Sequence, residues 1–153
     1  MQIRYPFLVV YFALAVQTGL AQNTYVPDNN FEQALIDLNY DDTLDDSVLT
    51  ANISGVTNLD VNNKEISYLT GIEDFTALTQ LHCHSNQLTT LDISANTALT
   101  YLRCENNQLT SLDLSTNTAL TYLDCDNNQL TSLDLSTNTA LTRLECDDNQ
   151  LTS

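Results

Sequence analysis

Four cysteines, Cys83, Cys104, Cys125 and Cys146, recur at a constant interval of 21 residues. Thiols offer three chemistries: disulfides, a metal centre, or a nucleophile. Metal sites need ligands close together in space, and Cys-x20-Cys is not a metal-ligand spacing. A nucleophile needs a base within reach. The only histidines, His82 and His84, flank Cys83. In an extended segment they point opposite to it, so neither can activate it. Disulfides are the usual reading of an even cysteine count in an exported chain. Here, however, all four fall on one column of a repeat. Stacked extended coils lie about 4.8 Å apart, and parallel side chains hold their Cβ atoms further apart than the ~3.8 Å a disulfide prefers. The spacing predicts a ladder of buried, reduced thiols acting as small hydrophobes.

Carboxylates are the other abundant reactive groups. The chain holds 20 Asp plus Glu against 4 Lys plus Arg, with a formal net charge of −16. Such a balance excludes phosphate-rich partners, so no nucleic acid is expected, and anionic lipid is disfavoured equally. It suits a solvated extracellular surface, a cation, or a basic partner. Pairs such as Asp124 and Asp126 lie on an open strand face where acid–base chemistry would be poor. No Gly-x-Ser-x-Gly elbow, P-loop or dinucleotide fingerprint occurs, and no cofactor motif. The reading is a non-enzyme.

The element that positions these residues is a repeat. Residues 78–98, LTQLHCHSNQLTTLDISANTA, return as 99–119 and 120–140, and a fourth copy runs over 141–153. One such unit cannot bury its own apolar face, so a solenoid follows. Leu81-x-Cys83 and Leu91-x-Ile93 alternate with period two, which predicts about two short parallel strands per coil, near 101–104 and 111–114 in the second copy. The fold class is a mostly β repeat solenoid with a small helical N-terminal cap.

The segment L-x-x-L-x-C-x-x-N-x-L resembles the leucine-rich repeat, with Cys at a position that is normally Leu. Its ten-plus-eleven nesting is similar to the IRREKO class of bacterial leucine-rich repeats. The 22-residue unit 56–77, with Lys64 at the motif Asn position, is more similar to the internalin type. The resemblance implies an exported, non-catalytic binding module.

The remaining chain divides accordingly. Residues 1–21 carry Arg4, the apolar run Phe7 to Val16 and then Gly19-Leu20-Ala21, as a cleaved signal peptide does. A secreted or cell-surface location follows, with no membrane insertion after cleavage. Residues 22–55 form the cap region. Asn29 is expected to cap a helix over 29–39, with Glu32 returning to it and Phe31, Leu35 and Leu38 on its buried face. The stretch VPDNNFEQALIDLNYDD resembles the N-terminal region of exported leucine-rich repeat proteins of flavobacteria. Asp41, Asp42, Asp45 and Asp46 crowd the next loop. Calcium could use them, but the spacing is not an EF-hand, and no metal site is assigned. The solenoid takes 56–153, in coils 56–77, 78–98, 99–119, 120–140 and the partial 141–153. That last coil ends before its second strand. The chain is therefore expected to continue in a longer parent, and the uncapped edge to favour self-association.

Stacking turns repeat positions into columns. Asn86/Asn107/Asn128/Asn149 and Asn96/Asn117/Asn138 fall at turns, where their amides can satisfy stripped backbone groups. Asp92/Asp113/Asp134 form an outward acidic column on the second half of each coil, expected to need solvent or cations. Thr79/Thr100/Thr121/Thr142 and Thr89/Thr110/Thr131/Thr152 could form an ice-binding lattice, but charged columns interrupt it. Outward residues of the second half barely change between copies, whereas those of the first strand vary freely. The candidate partner-binding residues are on that varied face: Tyr101, Arg103, Glu105, Tyr122, Asp124, Asp126 and Arg143. The expected partner is an extracellular protein, or alternatively a glycan. A calcium-stabilised structural spacer is the competing reading.

Overall fold

The computed structural model describes residues 21–152. The signal-peptide reading of residues 1–21 falls almost wholly outside them. The solenoid is present as expected. Five three-residue strands form one parallel sheet in chain order: β3 (Asn58–Asp60), β4 (Gln80–His82), β5 (Tyr101–Arg103), β6 (Tyr122–Asp124) and β7 (Arg143–Glu145). The register is that of the repeat: Leu59, Leu81, Leu102, Leu123 and Leu144 stand side by side, and so do Tyr101 and Tyr122. Leu81, Cys83, Leu88, Ile93 and Leu99, with their equivalents in the next coil, are buried in one continuous core.

Each coil has one strand, not two. The second halves stack with Leu91, Leu112, Ile93 and Leu114 inward, yet they make no ladder. The cause is local. Asp92, Asp113 and Asp134 each accept the backbone N–H two residues on, from Ser94 (3.0 Å), Ser115 (2.9 Å) and Ser136 (2.8 Å). These turns withdraw from the sheet the amides that a ladder would need.

The turns use both asparagine columns as expected. Asn107 donates to the carbonyls of Cys83 (3.1 Å) and Cys104 (3.0 Å) and accepts from Leu88 N (3.0 Å). Asn128 repeats the pattern one coil later. In the first coil, where Lys64 replaces the asparagine, Asn86 reaches back and accepts from Lys64 N and Ile66 N. Ser85, Asn106, Asn127 and Asp148 share a left-handed backbone, φ 51 to 56°, a conformation that short polar side chains tolerate best.

The thiols are free, and Cys83, Cys104 and Cys125 are fully buried. Each S–H donates to a carbonyl of the next coil at 3.4–3.5 Å. Burial pushes the Cys125 thiol up to about 12 and the other two up as well, so none is a thiolate at neutral pH. Cys146 was expected to be buried like the rest, but it is partly exposed because no further coil covers it in the described residues.

The N-terminal region departs from its sequence reading in four ways. First, α1 (Asn29–Asp37) is capped by Asp28, not Asn29: the Asp28 carboxylate accepts from Asn30 N and Phe31 N, and its other oxygen accepts from Ser67 N and Tyr68 N of the first coil. Second, Leu38 is exposed, and Ala34 takes the buried place beside Phe31 and Leu35. Third, a two-stranded antiparallel sheet, β1 (Asn23–Tyr25) with β2 (Ser47–Leu49), flanks the helix. Fourth, helical structure is not limited to α1: α2 (Thr50–Ile53) follows β2, and a separate 3-10 turn lies at Ile72–Asp74 of the first coil. Phe31 packs on Phe75, centroids 6.4 Å apart, joining α1 to the solenoid core. At Gly71, φ 103°, a Cβ would meet the Tyr25 carbonyl at 2.9 Å, so only glycine lets β1 close against this coil.

Candidate functional site

The outward face of β4–β7 carries Tyr101, Arg103, Tyr122, Asp124 and Arg143, and Glu105 and Asp126 lie just past the ends of β5 and β6. Its spine is a column of flat groups. Tyr101 and Tyr122 stack, with centroids 4.3 Å apart and planes 5° from parallel. His82 lies against Tyr101 at 5.2 Å, and the Arg143 guanidinium lies over the Tyr122 ring at 5.2 Å. Strand register causes this: Tyr101 and Tyr122 are direct partners on adjacent parallel strands, so their half-buried rings stand side by side on one face.

Beside the spine runs a charged lattice. The Arg103 guanidinium bonds Glu105, and its Nε lies 3.7 Å from Asp124. His84 Nδ1 lies 3.7 Å from the same Glu105 oxygen. Tyr122 O–H donates to Glu145 Oε1 at 3.2 Å, and Arg143 Nε donates to that oxygen at 2.8 Å. Asp126 accepts Asp147 N at 2.7 Å. Oxygens of Asp124, Asp126 and Glu145 come within 4.8 Å of one another.

The face was expected to be open and solvated. Instead, Glu105 and Asp124 are only 6% and 5% exposed. Both point away from the core, yet the Arg103 side chain and the neighbouring columns cover them. Burial, reinforced by Glu105 and Glu145, pushes the Asp124 carboxyl above the usual carboxylate range, and burial does the same to Asp126. Burial, and then the charges of Asp124 and Glu145, push Tyr122 up to about 12, so it stays a neutral donor. Glu145 was not among the sequence candidates, although it holds both Tyr122 and Arg143. Its place in the column Arg103, Asp124, Glu145 was the signal that could have found it.

One rival column is used up internally. The hydroxyls of Thr79, Thr100, Thr121 and Thr142 each donate to the carbonyl of the preceding coil at 2.9–3.1 Å, which removes the donors an ice-matched lattice would need. The Asp92 column is open to solvent. Its carboxylates are exposed and are held below the usual range by the Ser94, Ser115 and Ser136 hydroxyls and amides.

The family described as Leucine Rich repeats (2 copies) matches residues 97–138, the two coils that carry most of this face. The coils are leucine-rich repeats. Internalin J of Listeria monocytogenes is 46% identical over 77 residues, which is 48% of this chain and 8% of that protein. The solved structure titled "Functional domain of InlJ from Listeria monocytogenes includes a cysteine ladder" is 44% identical with a TM-score of 0.78, over 86% of this chain and 30% of that one. A Leptospira interrogans leucine-rich repeat protein is 28% identical with a TM-score of 0.63, over 66% of this chain and 28% of its own. The leucine-rich repeats here thus have internalin-like relatives, and the chain spans less than a third of the length of each of these three proteins.

Proposed function

We propose that this leucine-rich repeat module is exported, is not an enzyme, and binds a macromolecular partner, protein rather than glycan, through the first-strand face at Tyr101, Arg103, Glu105, Tyr122, Asp124, Asp126 and Arg143. The observation that carries the reading is the Tyr101–Tyr122 stack flanked by arginines already held by carboxylates. Tyr and Arg dominate binding hot spots because they offer large amphipathic area and directed donors. Here their rotamers are fixed before any partner arrives, which lowers the ordering cost of association. The long, shallow sheet face suits an extended partner better than a small molecule. Its excess of carboxylates over arginines favours a segment rich in Lys or Arg.

The bacterial, exported setting rests on the signal-like start and on the internalin-like relatives. The test is capture from the native extracellular milieu with the mature chain as bait, followed by hydrogen exchange on the recovered complex. Protection is expected over β4–β7 and not over residues 89–95 and 110–116. Protection confined to those second halves would contradict the reading.

A further inference from the structure

Glu32 sits in α1 but works in the loop that follows it. Its side chain is fully buried. One oxygen, Oε1, accepts from Asp45 N at 2.8 Å and from Ser47 N at 3.0 Å, so the carboxylate is aimed into the loop that joins α1 to β2. The other oxygen, Oε2, is buried with no hydrogen-bond partner, and so is Oδ2 of Asp41 in that loop. Burial pushes the Asp41 carboxyl above its ordinary range against the pull of the Asp42 amide, and the charges of Glu32, Asp45 and Asp42 push it the same way as burial.

Among the described residues no side chain answers this charge. Between Arg4 and Lys64 there is no Lys, Arg or His, and Lys64 is taken by Asp37 at 3.0 Å. Asp28 shows what a satisfied buried carboxylate looks like here, with four amides on its two oxygens. Glu32 has two amides on one oxygen and nothing on the other. A buried carboxylate left in that state is costly unless a cation meets it.

We propose that Glu32 Oε2 and Asp41 Oδ2 hold a divalent cation between α1 and β2. Calcium fits best. The donors are hard oxygens with no nitrogen or sulfur among them, and two carboxylates match its charge. Calcium takes six to eight oxygens in flexible geometry, so loop carbonyls and water complete the shell. A surface depression lined by Asn39, Asp41, Asp42, Asp45 and Asn52 gives the ion its way in. Binding would tie α1, the loop and β2 together at the solenoid's first end.

The test uses the mature chain stripped with EGTA, titrated with CaCl2 by calorimetry and melted with and without the ion. One calcium per chain is expected, with a rise in Tm. Glu32→Gln and Asp41→Asn should each weaken binding at least tenfold, while an Asp124→Asn/Asp126→Asn double variant binds as the parent does. Should Glu32→Gln fail to fold, Asp41→Asn, in the more exposed loop, decides alone. No calcium binding by the parent overturns the proposal. So does binding that survives both cap variants or is lost with the Asp124/Asp126 pair. A proton shared by Glu32 and Asp41 also overturns it; that would show as a calcium-insensitive Tm that falls as pH rises from 5 to 7.

Discussion

Tyr101 and Tyr122 lie face to face at 4.3 Å, one coil apart on the same column, with Arg143 closing the stack from the next coil. The pair stiffens the centre of the sheet face without taking part in the core. Such a contact is worth about 0.5–1.5 kcal/mol beyond area burial, so its removal should leave the fold standing.

The cysteine column should be chemically silent until the chain unfolds. Alkylation of the native chain without reductant is expected to label Cys146 first and Cys83, Cys104 and Cys125 only on denaturation, with four labels in all. Two intramolecular disulfides by mass spectrometry would contradict the ladder. Cys125→Ala should cost on the order of 1–3 kcal/mol in unfolding free energy, as small buried truncations do.

The two asparagine columns should differ in value. Asn107 satisfies carbonyls with its amide and Leu88 N with its oxygen. Asn117 donates to Ile93 O and Asn96 O, but its oxygen has no partner. Each buried polar group left unpaired costs about 1–3 kcal/mol. Asn107→Ala is therefore expected to lower stability more than Asn117→Ala in denaturant melts. Equal losses would mean that the Leu88 amide finds another acceptor.

Asp124 should trade stability for function. Its folded-state pKa is raised, by burial first and then by Glu105 and Glu145. The folded chain then holds this proton more readily than the unfolded one, so ionisation costs stability. The cost is absent below the unfolded value of 3.8 and grows as pH rises from there through the raised folded value. Asp124→Asn is expected to melt higher than the parent at pH 7, with the gap closing toward pH 3. A gap that widens on acidification would show that the Arg103 contact dominates instead.

How far the sequence could be read depended on which force set each feature. The 21-residue period and the alternation of Leu81 and Cys83 report burial, which repeats with the coil. The inward columns, the parallel sheet and the Tyr101–Tyr122 neighbourhood were therefore legible. The second half of each coil has the same alternation, Leu91-x-Ile93, and reads as a strand. Only the Asp92–Ser94 side-chain turn cancels the ladder, and periodicity does not register it. Glu32 was read as a capping partner because it lies three residues past Asn29. In space it belongs to the Asp45–Ser47 loop, and a contact across 13 residues leaves no local mark. Glu105 and Asp124 point outward as alternation requires, but they are covered rather than open. Alternation gives a side chain's direction, not what its neighbours' long side chains lay over it.

The most direct test of the binding face is the affinity of two matched double variants for the captured partner, each checked for an unchanged melting curve. Tyr101→Ala/Tyr122→Ala removes the stack from the first-strand face, while Ser111→Ala/Ser132→Ala alters the second half of the same two coils. The expected result is a loss of about tenfold or more for the tyrosine pair, the scale of hot-spot truncation, and little change for the serine pair. Equal affinity of the two double variants would contradict the assignment.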